Sequence, residues 1–310
     1  MPQISIIVPN FNHASFLQQR LDSIFNQTYQ NFEVILLDDC STDSSLHLLK
    51  TYVNHDKVSY CIKSNYNTGS PFKQWKKGIE LASGKYIWIA ESDDYCEPQL
   101  LEKIVLLLEE NNQLGIAYCQ THDVDDKGKL LNHRIHYTNN FIPNIWEDYF
   151  AMDGFLFVKK YMNIKNVIPN ASAVVFKKEL VDMSIFNNSL LEMKMCGDWL
   201  FWIKLLLNSR IAFLPDTLNY FRSHKATTRV HDTILIKKQR LLEESVVYEF
   251  LYKYNIKNFS SEFHLYQRWF AFWSVKSIFS NSFYKIKLKK TSKIVYLFCF
   301  IYYKVQKWFK

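Results

Sequence analysis

Three carboxylates, Glu91, Asp93 and Asp94, stand within four residues at the end of an apolar run in WIAESDDY. Repulsion disfavours such crowding beside a buried strand unless solvent screens the cluster or a cation completes it. An adjacent acidic pair suits a hard cation such as Mg2+ or Mn2+, which takes one or two carboxylates, keeps waters and draws other ligands from a diphosphate. The plainer alternative is a capped turn before the helix that Pro98 starts. A second acidic end, Asp38-Asp39, follows the run 32–37, and Asp198 opens the run DWLFWIKLLL, where aspartate also serves well as an N-cap. Lys73, Lys76 and Lys77 lie upstream of the acidic cluster, where they could neutralise phosphate or stand solvated on a helix face.

The elements that must position these groups alternate along the chain. Short β-branched or apolar runs at 4–8 and 32–37 read as buried strands, and 58–63 and 85–90 as a third and a fourth strand. Between them, Leu17, Leu21, Ile24 and Phe25, then Leu46, Leu49 and Val53, recur at helical spacing, and 72–82 reads as a further helix. Such alternation predicts an open, largely parallel α/β sheet, in which ligands bind beyond the carboxyl ends of the strands. The polar stretches 9–13, 38–43 and 91–94 should therefore converge. Strand-like pieces follow at 115–120 and 171–176, and RIAFLP and LNYFR read as two short strands. Beyond about Asp232 the chain reads as helical, aromatic and lysine-rich.

With 310 residues, 48% of them hydrophobic and 22% charged, the chain can bury a large core. Six cysteines without a pairing pattern predict reduced thiols, and the N-terminus lacks the marks of a signal peptide. No window reaches the roughly 20 apolar residues of a membrane span. The net charge of +8 is unevenly placed: residues 281–310 hold eight lysines and no acid. That tail, with its apolar stretch 294–303, predicts peripheral contact with an anionic membrane or a partner subunit. The expected location is the cytoplasm, with a peripheral position on the cytoplasmic face of the inner membrane. An acidic cleft disfavours nucleic acid. The absence of GxGxxG after the first strand excludes a dinucleotide-binding dehydrogenase.

Read together, VPNFNHASFLQQRLDSIFNQTYQNFEVILLDDCSTDSS, KKGIELASGKYIWIAESDD, CGDWLFWIKLL and LNYFRSHKATTR resemble glycosyltransferase family 2 over roughly residues 3–230. The resemblance implies the GT-A fold, a Rossmann-like, mostly parallel sheet flanked by helices, with a C-terminal helical extension. It divides the chain into a catalytic domain, 1–231 (a nucleotide-binding half, 1–115, and an acceptor half, 116–231), and a helical region, 232–310.

The same resemblance implies roles. Pro9, Phe11 and Asn12 would hold the nucleotide base, Asp39 would read its ring, and Asp38 would support the loop. Asp93 would face the ribose and Asp94 the metal, Mn2+ or Mg2+. Glu91 stands where many members have Asp. Asp198 would be the catalytic base, although Gly197 replaces the acid that usually precedes it. His224 and Arg222 would approach the metal or diphosphate, with Lys73 a further diphosphate contact. The implied reaction moves a sugar, with inversion, from a nucleoside-diphosphate sugar (UDP-linked by expectation) to a hydroxyl of a glycan or lipid-linked acceptor in bacterial-type surface polysaccharide synthesis. The alternative is an inactive scaffold that kept the fold.

Overall fold

Strand β1 (Ile4–Asn10) is buried throughout, and its pleat feeds two cores: Ile4, Ile6 and Val8 join one apolar cluster while Ile7 joins the other. The computed structural model describes residues 2–224 and 233–308. Strands β2 (Phe32–Asp38), β3 (Val58–Lys63) and β4 (Tyr86–Ile89) run parallel to β1 in the order β3-β2-β1-β4. Helices α1 (Ala14–Phe25), α2 (Ser45–Thr51) and α3 (Pro71–Leu81) supply the crossovers. This half follows the sequence expectation.

The second half extends the sheet in mixed directions. After β5 (Tyr95–Cys96) and α4 (Leu100–Glu110) come β6 (Leu114–Val124), β7 (Leu130–His133), β8 (Phe150–Asp153), α5 (Gly154–Phe157) and β9 (Val174–Lys177). Helices α6 (Asn188–Leu191) and α7 (Gly197–Leu206) precede β10 (Arg210–Arg222). Strand β9 inserts antiparallel between β4 and β6, and β10 runs parallel to β6. The two strands expected around Pro215 are one: β10 passes the proline by a register shift between Leu214 and Thr217 instead of breaking. It thereby carries Arg222 to the acidic end of the sheet.

Helices α8 (Ile234–Lys253), α9 (Phe259–Phe270) and α10 (Lys293–Trp308) form the C-terminal region. Leu241, Tyr248, Trp269, Phe283 and Tyr296 are buried in the same apolar cluster as Phe72, Trp75 and Trp202 of the sheet domain. The boundary expected near Asp232 lies outside the described residues, as does the KATTR part of the late motif.

Candidate active site

The carboxyl ends of β1, β2 and β4 meet, and each acid there has a distinct set of partners. Asp38 is buried and accepts hydrogen bonds from Asn10 Nδ2 (3.0 Å) and the Ser41 N–H (2.9 Å), tying two strand-end loops together. Asp39 accepts from Thr68 Oγ1 (2.8 Å) and Gln74 Nε2 (2.6 Å) while lining a cavity with Pro9, Phe11 and Asn12. Asn12 sits in the left-handed region (φ 56°), an arrangement asparagine tolerates, and its Oδ1 accepts from the Thr42 N–H (2.7 Å).

The cluster Glu91–Asp94 divides its labour in a way the sequence does not state. Asp94, assigned above to the metal, is buried and accepts three protein hydrogen bonds: from Asn170 Nδ2 (2.9 Å), Ser172 Oγ (2.7 Å) and the Arg222 N–H (2.9 Å). Asp93, assigned to the ribose, has a different set of partners. Its Oδ2 lies 3.0 Å from His224 Nε2, and potential ligand atoms of His13, Asp93 and His224 all lie within 4.8 Å of one another. Two imidazoles and a carboxylate form a set that suits a divalent transition metal better than Mg2+, which prefers oxygen throughout. The residues present fit a metal, and Asp93 is the better candidate ligand of the pair. Glu91 Oε1 accepts from Trp75 Nε1 (2.9 Å).

Charge explains how the cluster is tolerated. Burial, reinforced by the Asp93 carboxylate, raises Glu91 to about 8 and Asp94 to about 6. For Asp93 burial pushes upward, but the His224 hydrogen bond and the charges of His13 and His224 outweigh it and lower its pKa. Two buried guanidiniums complete the surroundings. Arg20 donates from Nε to the Glu91 carbonyl (2.9 Å) and lies over Trp88, 5.1 Å from the ring centroid. Arg222, expected at the diphosphate, is buried and donates to the carbonyls of Asp93 (2.8 Å) and Asp125 (3.1 Å) and to Gln19 Oε1 (2.6 Å). These contacts shape the turn that bears Asp93.

Asp198 lies in the first turn of α7 and borders the same cavity, of about 1100 Å³, that Asp39 and Asp93 border. Asn166 Nδ2 donates to its Oδ2 (2.8 Å), and burial raises its pKa to about 6. Glu243 of α8 fixes the entry to this helix by accepting from the N–H groups of Lys194 (3.1 Å), Met195 (2.8 Å) and Cys196 (2.9 Å). The missing acid at Gly197 has a steric cause. A Cβ there would meet the Phe72 ring at 2.3 Å, so a side chain would fit only if the ring moved.

Lys73 stands apart from the cavity wall. It is exposed on α3 and donates to the Thr68 carbonyl (3.0 Å), while Lys76 pairs with Glu80 at 3.7 Å. Sequence reasoning missed Asn166, Asn170, Ser172 and Glu243, and it gave His13 no role beyond its place in the polar stretch 9–13. Only His13 carried a usable signal: it follows the strand-end segment Pro9–Asn12 directly.

Residues 5–181 match the glycosyl transferase family 2 profile. An uncharacterized glycosyltransferase of Methanocaldococcus jannaschii is 26% identical over 300 residues, 96% of this chain and 88% of its own length. Among solved structures, the 1–349 fragment of S. aureus TarS with UDP-GlcNAc superposes with a TM-score of 0.61 at 19% identity, covering 98% of this chain and 81% of that one. A Pyrobaculum calidifontis mannosyltransferase with GDP-Man and Mn2+ gives 0.55 at 16%, covering 81% and 64%. The profile spans more than half of the chain, including every strand end that carries the acids, and on that match the chain belongs to glycosyltransferase family 2, as a glycosyltransferase of GT-A fold.

Proposed function

We propose that the chain transfers a sugar from a nucleoside-diphosphate sugar, UDP-linked, to an acceptor hydroxyl with inversion at the anomeric carbon. One observation carries this reading: a single cavity is bordered by Pro9, Phe11, Asn12 and Asp39 at one end, by His13 and Asp93, and by Asp198. Phe11 is partly exposed and offers its ring to a base, while Asp39 offers a carboxylate to an imide N–H. Asp198 removes the acceptor's proton as its oxygen attacks the face opposite the leaving diphosphate. Asn166 orients that carboxylate, and Glu243 orients the helix that bears it. A divalent cation held by His13, Asp93 and His224 would neutralise charge on the departing diphosphate. UDP is preferred because the TarS fragment was solved with UDP-GlcNAc; the GDP-Man complex of the mannosyltransferase makes GDP the second choice.

An inactive scaffold would not need the base end and the nucleotide end to share one cavity. The acceptor is a glycan or lipid-linked hydroxyl of surface polysaccharide synthesis, and α10 supports work at a membrane. No helix among the described residues is long and apolar enough to cross one. Yet Ile294, Phe298, Ile301, Val305 and Trp308 form an exposed stripe, beside exposed Lys289, Lys290 and Lys293. The opposite side of the helix, with Tyr296, Phe300 and Tyr303, packs inward. A helix lying in the interface of an anionic bilayer has this form. The test of the reading is a panel of UDP-, GDP- and dTDP-sugars with Mn2+, followed by release of nucleoside diphosphate. Release from one donor class that stops on chelation is expected. No release from any donor, with the protein folded, would overturn it.

A further inference from the structure

The cavity continues past Asp198 to a tyrosine that no step of the proposed reaction uses. Tyr137 lies in the short helical turn Arg134–Thr138 after β7 and borders the same cavity as Asp198. Two cations grip its ring: the Arg134 guanidinium lies 5.4 Å from the centroid and Lys165 Nζ 4.2 Å. Lys165 also donates to the Tyr137 carbonyl and to Asn140 Oδ1 (2.5 Å), which fixes the main chain there. Arg134 is anchored in turn by Asp123 at 2.8 Å. The tyrosine is thus positioned through its ring and its carbonyl. Its hydroxyl takes no part: among the described residues it has no hydrogen-bond partner.

That hydroxyl stands among the charges around the base. Burial raises its pKa, the guanidiniums of Arg134 and Arg240 oppose the rise, and the carboxylates of Asp198 and Glu244 add to it. It therefore lies where the start of α7 meets α8. The charges there are already answered within the protein. Asn166 donates to Asp198 at 2.8 Å, and Arg240 and Arg268 donate to Glu244 at 3.1 and 3.0 Å. An incoming molecule need bring no charge, only oxygens that pair with a phenol able to donate and accept. Trp199 and Phe221 line the same cavity and offer apolar surface. Hydroxyls beside an apolar face are the chemistry of an uncharged sugar ring. A half-buried hydroxyl of this kind is bonded to water until a ligand oxygen displaces it.

We propose that Tyr137 binds the acceptor: its hydroxyl pairs with a hydroxyl of an uncharged pyranose, one other than the hydroxyl that Asp198 deprotonates. The inference rests on the transferase reading above and adds to it an acceptor class and a contact. Acceptors that carry this second hydroxyl are selected, so Tyr137 determines specificity without taking part in proton transfer.

The test uses the full chain, Mn2+ and the sugar nucleotide that the donor panel selects. Methyl glycosides of glucose, galactose, mannose and N-acetylglucosamine are offered as acceptors, and kcat/KM is measured for the one used best. Monodeoxy analogues of that glycoside are then compared in wild type and Tyr137→Phe, which removes one oxygen and keeps the ring. The variant should lose about 5- to 10-fold in kcat/KM, the scale of one hydrogen bond, with donor affinity by calorimetry unchanged. One analogue, deoxygenated away from the glycosylated position, should lose as much in wild type and react equally well with both proteins. A purely structural role would lower every analogue alike. Full activity of the variant, equal losses across the series, or a loss that follows donor affinity would overturn the proposal. So would unfolding of Tyr137→Phe, which would give the hydroxyl a structural duty, or donor turnover without transfer to any of the glycosides. A protein that turns over no donor would sink the transferase reading itself, and this one with it.

Discussion

Asp93 Oδ2 and His224 Nε2 lie 3.0 Å apart although 131 residues separate them. The contact joins the turn after β4 to the end of β10, and His13 from the turn after β1 closes the group. Three strand ends thus bring three potential metal ligands together, while the neighbouring Asp94 accepts three hydrogen bonds from the protein. Adjacent acids that share a motif have different partners, and this leads to separable consequences.

Substituting the two acids should therefore fail in different ways. Asp94→Asn places an amide among three hydrogen-bond donors and should lower stability by about 1–3 kcal/mol. Asp93→Asn should leave the melting temperature within a few degrees of wild type while weakening Mn2+ binding. Thermal unfolding and Mn2+ titration of both variants check this. Equal destabilisation by both would argue against the division.

Glu243→Gln should act at a distance. It removes the charge from three hydrogen bonds that hold the entry to α7, at a cost of about 2 kcal/mol. Turnover should fall with little change in donor affinity, because the helix that bears Asp198 loses its anchor. Chemical denaturation together with steady-state kinetics on the variant measures both effects.

Activity should also report the Asp198 carboxylate through pH. Burial raises its pKa to about 6, and the base must be ionised to act. The kcat/KM should therefore be flat above about pH 6 and fall about tenfold per unit below it, a limb lost in Asp198→Asn. Stability moves the opposite way. The folded state holds this proton more tightly than the unfolded chain, so the group's contribution is greatest below about pH 4 and is lost as pH rises through about 6.

The exposed stripe of α10 gives a membrane prediction that leaves the fold alone. Deleting 281–310 would strip Phe283, Tyr296 and Phe300 from the core, so truncation confounds binding with unfolding. Phe298→Asp and Ile301→Asp alter only exposed positions. They should abolish co-sedimentation with anionic vesicles while changing stability by no more than about 0.5 kcal/mol. Unchanged binding would mean that the stripe is not the contact surface.

Much of the nucleotide half was legible because β1, β2 and β4 are buried on both faces. Unbroken apolar runs such as 4–8 and 32–37 read as strands, and their acidic ends stood out against them. The split between Asp93 and Asp94 was not legible, since it depends on Asn170 and Ser172, which arrive 76 and 78 residues later. Strand β10 was read as two pieces because proline usually ends a strand, whereas a register shift carries it through. The C-terminal helices looked like an appendage because aromatics and lysines mask which side packs inward. Arg240, Glu243 and Glu244 consequently carried no signal toward the site. Gly197 looked like a defect in a motif until the Phe72 ring accounted for it.

The proposed reaction turns on Asp198 as the base in a cavity that would also receive the donor. Its most direct test is acceptor-dependent release of nucleoside diphosphate by wild type and Asp198→Asn at pH 7.5 with Mn2+, alongside donor affinity measured by calorimetry. A loss of about 10²–10⁴-fold in turnover is expected, with donor affinity within about twofold of wild type. Wild-type turnover in the variant, or a loss that follows donor affinity, would contradict it.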